Sequence, residues 1–411
     1  MQKDDLRLPN LRHLRMFLSV CEMGSINLAA SAMNVAQPGI TQAIANLEKR
    51  FDAKLLTRRA GGSFPTEEGE ILRRRVERFL RQLTEAVAEA PNRTALPDKS
   101  KYEVVVHRIT AVQLRALVAV ARHGSVNVAA QSEGLSVSSM HHAARDIESN
   151  VDYALYMKNA TGLSVNRAGR ELARRVQLAI SELAQADDEI ASHSGGVRGR
   201  VLIGSLPMIR SALLGLAINK TLARMPGLHF EVLEGVYPSM LGALRRGDVD
   251  VLIGALRSPA PANDVREEFL FEDPYAVIVR AGHPLAGQTV SLDQLMAAEW
   301  VTQKPGTPVR TALDAIFAAS GATPHVTVET ASMVLTRSVL LTSDRLTLLS
   351  RRQIAVEMRA GLLTALDYTV PAAGRMIGVT TRTDWLPSLG QTTFLQCLNE
   401  TIATEIHASD D

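Results

Sequence analysis

The chain has 411 residues, 46% hydrophobic and 21% charged, which is ordinary globular usage and excludes a wholly disordered or fibrous protein. Two cysteines, Cys21 and Cys397, build no disulfide framework and point to a reduced compartment. The net charge of +2 is uneven: residues 1–98 hold 15 Lys/Arg against 12 Asp/Glu and residues 99–200 hold 13 against 10, but residues 201–411 hold 17 against 21. A basic front half suits a polyanion and an acidic back half does not.

From the N-terminus, residues 1–10 lack the apolar segment of a secretion signal. Leu14, Phe17, Leu18 and Cys21 follow helical spacing, and Gly24 stops that helix. Ser25 caps a second helix over 26–33, where Ala29 and Ala30 are small enough for a close helix crossing. Asn34 and Val35 make a short turn. A third helix is predicted over 37–50, burying Ile40, Ile44 and Leu47. Two helices joined by a tight turn, the second with a polar and basic face, form a helix-turn-helix. Residues 55–65, with Gly61 and Gly62, predict a two-stranded wing, and Thr66 opens a long helix to about residue 90.

The candidate DNA-contacting residues are Gln37, Pro38, Gly39, Thr41 and Gln42 at the start of the third helix and Arg58 and Arg59 on the wing. Gln and Thr side chains bond base edges or phosphates, and arginines bond the backbone or the minor groove. Residues 10–60 carry seven basic side chains (Arg12, Arg15, Lys49, Arg50, Lys54, Arg58, Arg59) against three acidic ones.

Residues 91–107 are polar at first and contain proline, which predicts a linker. Beyond it the chain repeats. Residues 11–86 match 111–186 without a gap at 21 of 76 positions, including Gly24/Gly124, Ser25/Ser125, Asn27/Asn127, Glu48/Glu148, Leu55/Leu155, Gly62/Gly162 and Gly69/Gly169. The second copy keeps the fold signals but changes the polar face: Val137-Ser138-Ser139 replaces Gln37-Pro38-Gly39, His141-His142 replaces Thr41-Gln42, and Lys158-Asn159 replaces Arg58-Arg59. Ser136 is a better helix cap than Ala36. Ser136, Ser138, Ser139, His141, His142 and Lys158 form a candidate second DNA face, with a dimerisation or spacing role as the alternative. Adjacent histidines point to different sides of a helix and no cysteine lies near, so no metal site is expected.

Apolar stripes (Leu72, Val76, Phe79, Leu83; then Leu172, Val176, Ile180, Leu183) mark two long helices that pack on their own domain or on a partner chain. After a second hinge over 192–200, short apolar runs alternate with amphipathic helical stretches, which predicts an α/β region with mostly parallel strands in two lobes. Its most apolar stretch, 201–216, is broken by Pro207 and Arg210, and no stretch reaches the ~20 residues of a membrane span. A small molecule is expected between the lobes. Two loops resemble anion cradles at helix starts, residues 205–208 and 302–308, with the hydroxyls of Ser205, Thr302 and Thr307; ordinary capping is the alternative. Nucleotide-binding, hydrolase and metalloprotease motifs are missing, so neither enzyme activity nor a cofactor is expected.

These residues resemble the LysR-type transcriptional regulators. The resemblance rests on Leu14, Phe17, Gly24-Ser25, Ala29-Ala30, Val35 to Thr41, Ile44, Leu47-Glu48, Leu55-Leu56, Arg58, Thr66 and Gly69. It continues in Gly199 to Gly204, Pro226, Gly235, Leu244, Gly247, Asp250 and Gly282 to Leu285. It implies a multidomain chain: tandem α-helical winged helix-turn-helix units followed by an α/β, two-lobed, periplasmic-binding-protein-like effector domain. The expected partition is 1–66 winged helix-turn-helix, 67–90 linker or dimerisation helix, 91–107 linker, 108–166 second, degenerate winged helix-turn-helix, 167–198 second linker helix and 199–411 effector domain. Within the last, lobe I takes about 199–274 and 376–411 and lobe II about 275–375.

The resemblance also implies a cytoplasmic regulator of promoter DNA that self-associates as a dimer or tetramer, meets RNA polymerase and answers a small effector. The effector half resembles the branch typified by galactose-binding-protein regulators, which admits sugar-like or carboxylate effectors. Carried over position by position, the effector site is Ser205, Pro207, Met208, Gly254, Thr302, Thr307 and Ser332. Ala36 departs from the usual serine, and the second helix-turn-helix is not standard in the family. Two chains would carry four such units, the number a usual tetramer carries. The rival readings are a cytoplasmic small-molecule binding protein and an architectural DNA-binding protein without an effector.

Overall fold

Helix boundaries in the first half follow from side-chain caps. In the computed structural model, which describes residues 8–89, 99–160, 162–193, 199–206, 212–257, 262–318, 320–371 and 374–407, helix α1 (Leu11–Met23) starts where Asn10 accepts the Arg12 amide at 2.9 Å. It ends at Gly24, whose φ of 62° suits glycine. Ser25 caps α2 (Ile26–Ala32). Helix α3 (Gln37–Phe51) has no side-chain cap at Ala36 and places Pro38 in its first turn. Strands β1 (Leu56–Arg59) and β2 (Gly62–Pro65) pair antiparallel as a wing. Thr66 opens α4 (Glu67–Ala88) by accepting the Gly69 amide while its hydroxyl donates to the Lys54 carbonyl.

The same unit recurs as α6 (Ala111–His123), α7 (Val126–Glu133), α8 (Val137–Val151), β3 (Tyr156–Asn159), β4 (Gly162–Val165) and α9 (Arg167–His193). The repeated residues have repeated jobs. A Cβ on Gly69 would lie 2.0 Å from the Leu55 carbonyl oxygen, and one on Gly169 would lie 2.2 Å from that of Leu155. Glu48 accepts the Leu55 amide at 3.1 Å, and Glu148 accepts that of Leu155 at 2.7 Å, which ties each third helix to its wing. Where Thr66 stands in the first copy, Asn166 makes both equivalent bonds, to the Gly169 amide and the Ala154 carbonyl.

One expectation changes, and one left open is answered within the chain. The segment expected to be a linker contains α5 (Lys99–Arg108), which packs on α4. Tyr102, Val105, Val106 and Ile109 supply its apolar face at helical spacing, diluted in the sequence by the charges between them. The stripe on α4 meets α9 of the same chain: Leu72, Val76, Phe79 and Leu83 share one core with Leu172, Val176, Ile180 and Leu183.

The second half begins with β5 (Gly199–Ser205), α10 (Ala212–Arg224), β6 (Leu228–Glu234), α11 (Tyr237–Arg246), β7 (Val251–Ala255) and β8 (Val265–Asp273). A second lobe follows: β9 (Ala276–Arg280), α12 (Leu292–Ala297), β10 (Glu299–Thr302), α13 (Pro308–Ala318), β11 (His325–Glu329), α14 (Met333–Leu341), β12 (Thr347–Leu349), α15 (Ala355–Arg359) and β13 (Leu363–Ala365). The chain returns through β14 (Arg375–Arg382) and α16 (Leu389–His407). The first lobe's sheet has the order β6-β5-β7-β14-β8; the second holds β12-β9-β13 and β10-β11.

The strands are not mostly parallel. The pairs β5–β7 and β10–β11 are parallel, but β14 runs antiparallel to both β7 and β8, and β12 and β13 run antiparallel to β9. Direction is set by the side from which a returning strand enters the sheet, and β14 comes back from the second lobe without a crossover helix. Arg375 at its start forms a buried ion pair with Asp273 at the end of β8 and reaches Ser350 Oγ at 3.4 Å. Each lobe has its own core, around Ile203, Ile253, Val379 and Phe394 in the first and Trp300, Leu313, Phe317 and Leu348 in the second.

Candidate functional site

In the first copy, α1 and α2 pack behind α3 and leave its opening turns in solvent. Gln37, Pro38, Gly39, Thr41 and Gln42 are all exposed, while Ile40, Ala43, Ile44 and Leu47 are buried on the opposite side. The Thr41 hydroxyl donates to the Gln37 carbonyl at 3.2 Å, and its lone pairs stay available. Gln42 Nε2 donates to Asn46 Oδ1 at 3.0 Å. Asn46, one turn further along the same exposed face, is a polar group that the sequence reading passed over; its spacing of four from Gln42 is the signal.

The basic cluster separates by partner. Arg15 is spent inside the fold, its guanidinium donating to the carbonyls of Val106 and His107 at 2.6 and 3.4 Å. Arg50 makes a bidentate pair with Asp187, whose carboxyl burial raises above the usual range while the arginine pulls it down. Lys54 pairs with Glu48 at 2.8 Å. Arg58 and Arg59 stay exposed on β1, opposite Ser63 and Gly62. The wing is fixed by the Ser63 amide, which donates to the Gly24 carbonyl at 2.8 Å.

The second copy has the same frame. Ser136 caps α8 by accepting the Ser139 amide at 3.1 Å, and its hydroxyl also lies 3.0 and 2.8 Å from those of Ser138 and Ser139. These serines bond one another at the helix start and remain exposed. His142 and Lys158 are exposed and His141 is half-buried. Arg145 is exposed three residues beyond His142, so Ser138, His142 and Arg145 follow one another along a single helix face. Arg145 was also missed from sequence, because its counterpart in the first copy is Ala45.

In the second half, Ser205 ends β5 and Thr302 ends β10. Both side chains are buried, and neither hydroxyl has a protein partner among the described residues. A buried hydroxyl without a partner is costly, and these two stand at the carboxyl ends of strands. Thr307 and Ser332 differ: the Thr307 hydroxyl donates to the Lys304 carbonyl at 2.9 Å, and Ser332 caps α14 by accepting the Leu335 amide at 3.3 Å. Gly254 lies on β7, where a Cβ would fall 2.3 Å from the Leu206 side chain. Pro207 and Met208 lie outside the described residues. A cavity is lined by Leu213, Ile253, Phe271 and Ile377 of the first lobe and by Arg352 and Gln353 of the second, and the expected effector residues do not line it.

Known proteins share this arrangement. The family described as bacterial regulatory helix-turn-helix protein, lysR family, matches residues 11–70 and again 112–170, and the LysR substrate binding domain matches 194–403. The HTH-type transcriptional regulator GalR of Pseudomonas putida is 32% identical over 402 residues, 98% of this chain and 99% of that protein, so the similarity runs through the duplicated segment. The regulator PcaQ of Agrobacterium fabrum is 27% identical over 72% of this chain and 96% of its own length. Among solved structures, CbnR, a LysR family transcriptional regulator, superposes with a TM-score of 0.51 at 16% identity, covering 71% of this chain and 98% of that one. A full-length OxyR variant from Pseudomonas aeruginosa gives 0.50 at 17% identity, covering 71% and 93%.

Proposed function

We propose, from the premise that this chain belongs to the LysR family of DNA-binding transcriptional regulators, that its first winged helix-turn-helix reads promoter DNA and its last 210 residues bind a small carboxylate or sugar-like metabolite that adjusts that binding. Helix α3 enters the major groove, with Gln37, Pro38, Gly39, Thr41 and Gln42 at base edges and adjoining phosphates. Arg58 and Arg59 hold the backbone from the wing. The observation that supports this reading is that these seven residues are exposed together, while the neighbouring Arg15 and Arg50 bind other parts of the fold and Lys54 pairs with Glu48. CbnR has been solved in complex with its target DNA, and the same docking is proposed here. Self-association, contact with RNA polymerase and a cytoplasmic location belong to the proposal.

For the effector, Ser205 and Thr302 supply hydroxyls that a carboxylate or sugar hydroxyl would satisfy, and Thr307 and Ser332 hold the loops beside them. The test is a melting screen against small carboxylates and sugars. A hit is expected to raise the melting temperature of the wild-type chain and to shift its protection of the promoter beside its own gene. Thr302→Val is expected to melt at or above the wild-type temperature without ligand and to lose the ligand-dependent rise. A full rise in the variant would remove Thr302 from the site.

A further inference from the structure

The two copies meet through α4 and α9, which run antiparallel. Glu67 at the start of α4 pairs with His193 at the end of α9 at 2.7 Å. Glu89, just past the end of α4, pairs with Arg175 near the start of α9 at 2.5 Å. Midway, Arg75 and Arg78 meet Glu182 at 2.7 and 2.9 Å, and Arg75 also meets Glu189.

The repeat is offset by one hundred residues, so Arg75 corresponds to Arg175 and Glu89 to Glu189. The pair Arg75–Glu189 and the pair Arg175–Glu89 are therefore the same contact with the copies exchanged. That reciprocity is the signature of a two-fold interface, here inside one chain.

The seam also selects its partner. Inside the outer Glu67–His193 pair, helix α4 with the residue after it brings Arg75, Arg78 and Glu89, two positive charges against one negative. Helix α9 brings Arg175, Glu182 and Glu189, one positive against two negative. The asymmetry comes from two positions, Arg78 opposite Leu178 in the repeat and Gln82 opposite Glu182. Two α4 helices facing each other would set four arginines against two glutamates, and two α9 helices the reverse. Arg75 and Glu182 are buried, so an unbalanced seam would hold like charges away from water. Among these six side chains, only the mixed pair neutralises.

We infer that one chain is by itself a two-fold DNA reader whose target is a pair of dissimilar half-sites. Helix α3 sets the sequence of one half, and α8, through Ser138, His142 and Arg145, sets the other. The inference rests on the proposal above that α3 reads bases. A two-fold protein asks for a two-fold site, but the two reading faces here share almost no side chains: Gln37, Pro38, Thr41 and Gln42 on one, Val137, Ser138, His141 and His142 on the other.

The experiment is selection of bound duplexes from a random library by the full-length chain, by Gln42→Ala and by the double variant His142→Ala with Arg145→Ala. All three positions are exposed, so both variants should melt with the wild type. The wild type is expected to recover two unlike half-sites. Gln42→Ala should lose base preference in one half only, and the α8 variant in the other half only, each by roughly fivefold to a hundredfold at the affected bases. A palindrome whose two halves both respond to Gln42→Ala, with the α8 variant unchanged, overturns the inference. If Gln42→Ala alters no base preference at all, the reading of α3 itself fails. A mixture of the two variant chains tests the pairing within one chain: no recovery of the wild-type motif is expected, and recovery would show that α3 and α8 are supplied by different chains.

Discussion

Arg58 and Arg59 are exposed on β1, opposite Ser63 and Gly62, and among the described residues neither has an acidic partner, whereas Arg50 and Lys54 do. An arginine that neutralises one phosphate releases about one counterion. Arg58→Ala should therefore weaken binding to specific and non-specific duplexes alike and lower the slope of log K against log salt by about one unit, read in titrations at several salt concentrations. Equal slopes would remove Arg58 from the backbone contact. The same scale shows what could be read without coordinates. Gly69 and Glu48 stood out in the repeat because each answers a backbone demand, a carbonyl too close for a Cβ and an amide needing an acceptor. Arg75 did not stand out. It lies in a run of three arginines, and nothing local tells which of the three is buried.

Among the elements, the α4–α9 seam carries the largest consequence for stability. The Arg75 side chain is 1% exposed, with Glu182 and Glu189 as its partners. Arg75→Met would leave Glu182 to Arg78 and Gln82 and strip Glu189 of this contact. A loss of about 3–5 kcal/mol is expected, because breaking a buried pair strands a charge. Denaturant unfolding measures it, and a loss within 0.5 kcal/mol would mean that water reaches the seam. Two elements that sequence alone missed share a cause. Helix α5 and strand β8 keep their apolar residues spaced among charges (Lys101 and Glu103; Arg266, Glu267 and Glu268), and β8 lies at a sheet edge, where charged side chains are tolerated. The direction of β14 is written in no residue pattern at all.

At the scale of the whole molecule, a reader already paired within one chain needs fewer chains to span a long site. Two chains carry four winged helix-turn-helix units. Light scattering of the purified protein should give two chains per particle, and a four-chain particle would count against this economy. The tandem unit and the α/β half were legible because duplication and alternating apolar runs are long-range patterns that survive local noise. The candidate effector residues divide by the state of their hydroxyls. Ser205 and Thr302 could be marked as hydroxyls at strand ends, but sequence could not separate them from Thr307 and Ser332, whose hydroxyls the loops themselves consume.

The antiparallel seam has one more consequence, on the scale of lineages. In a protein built from identical subunits, a substitution in the reading helix strikes both halves of every operator at once. Here α3 and α8 are encoded separately, so on the inference that each reads one half, a promoter could drift in one half and be followed by a change in one helix while the other half stays bound. The duplication turns a coupled search into two independent ones.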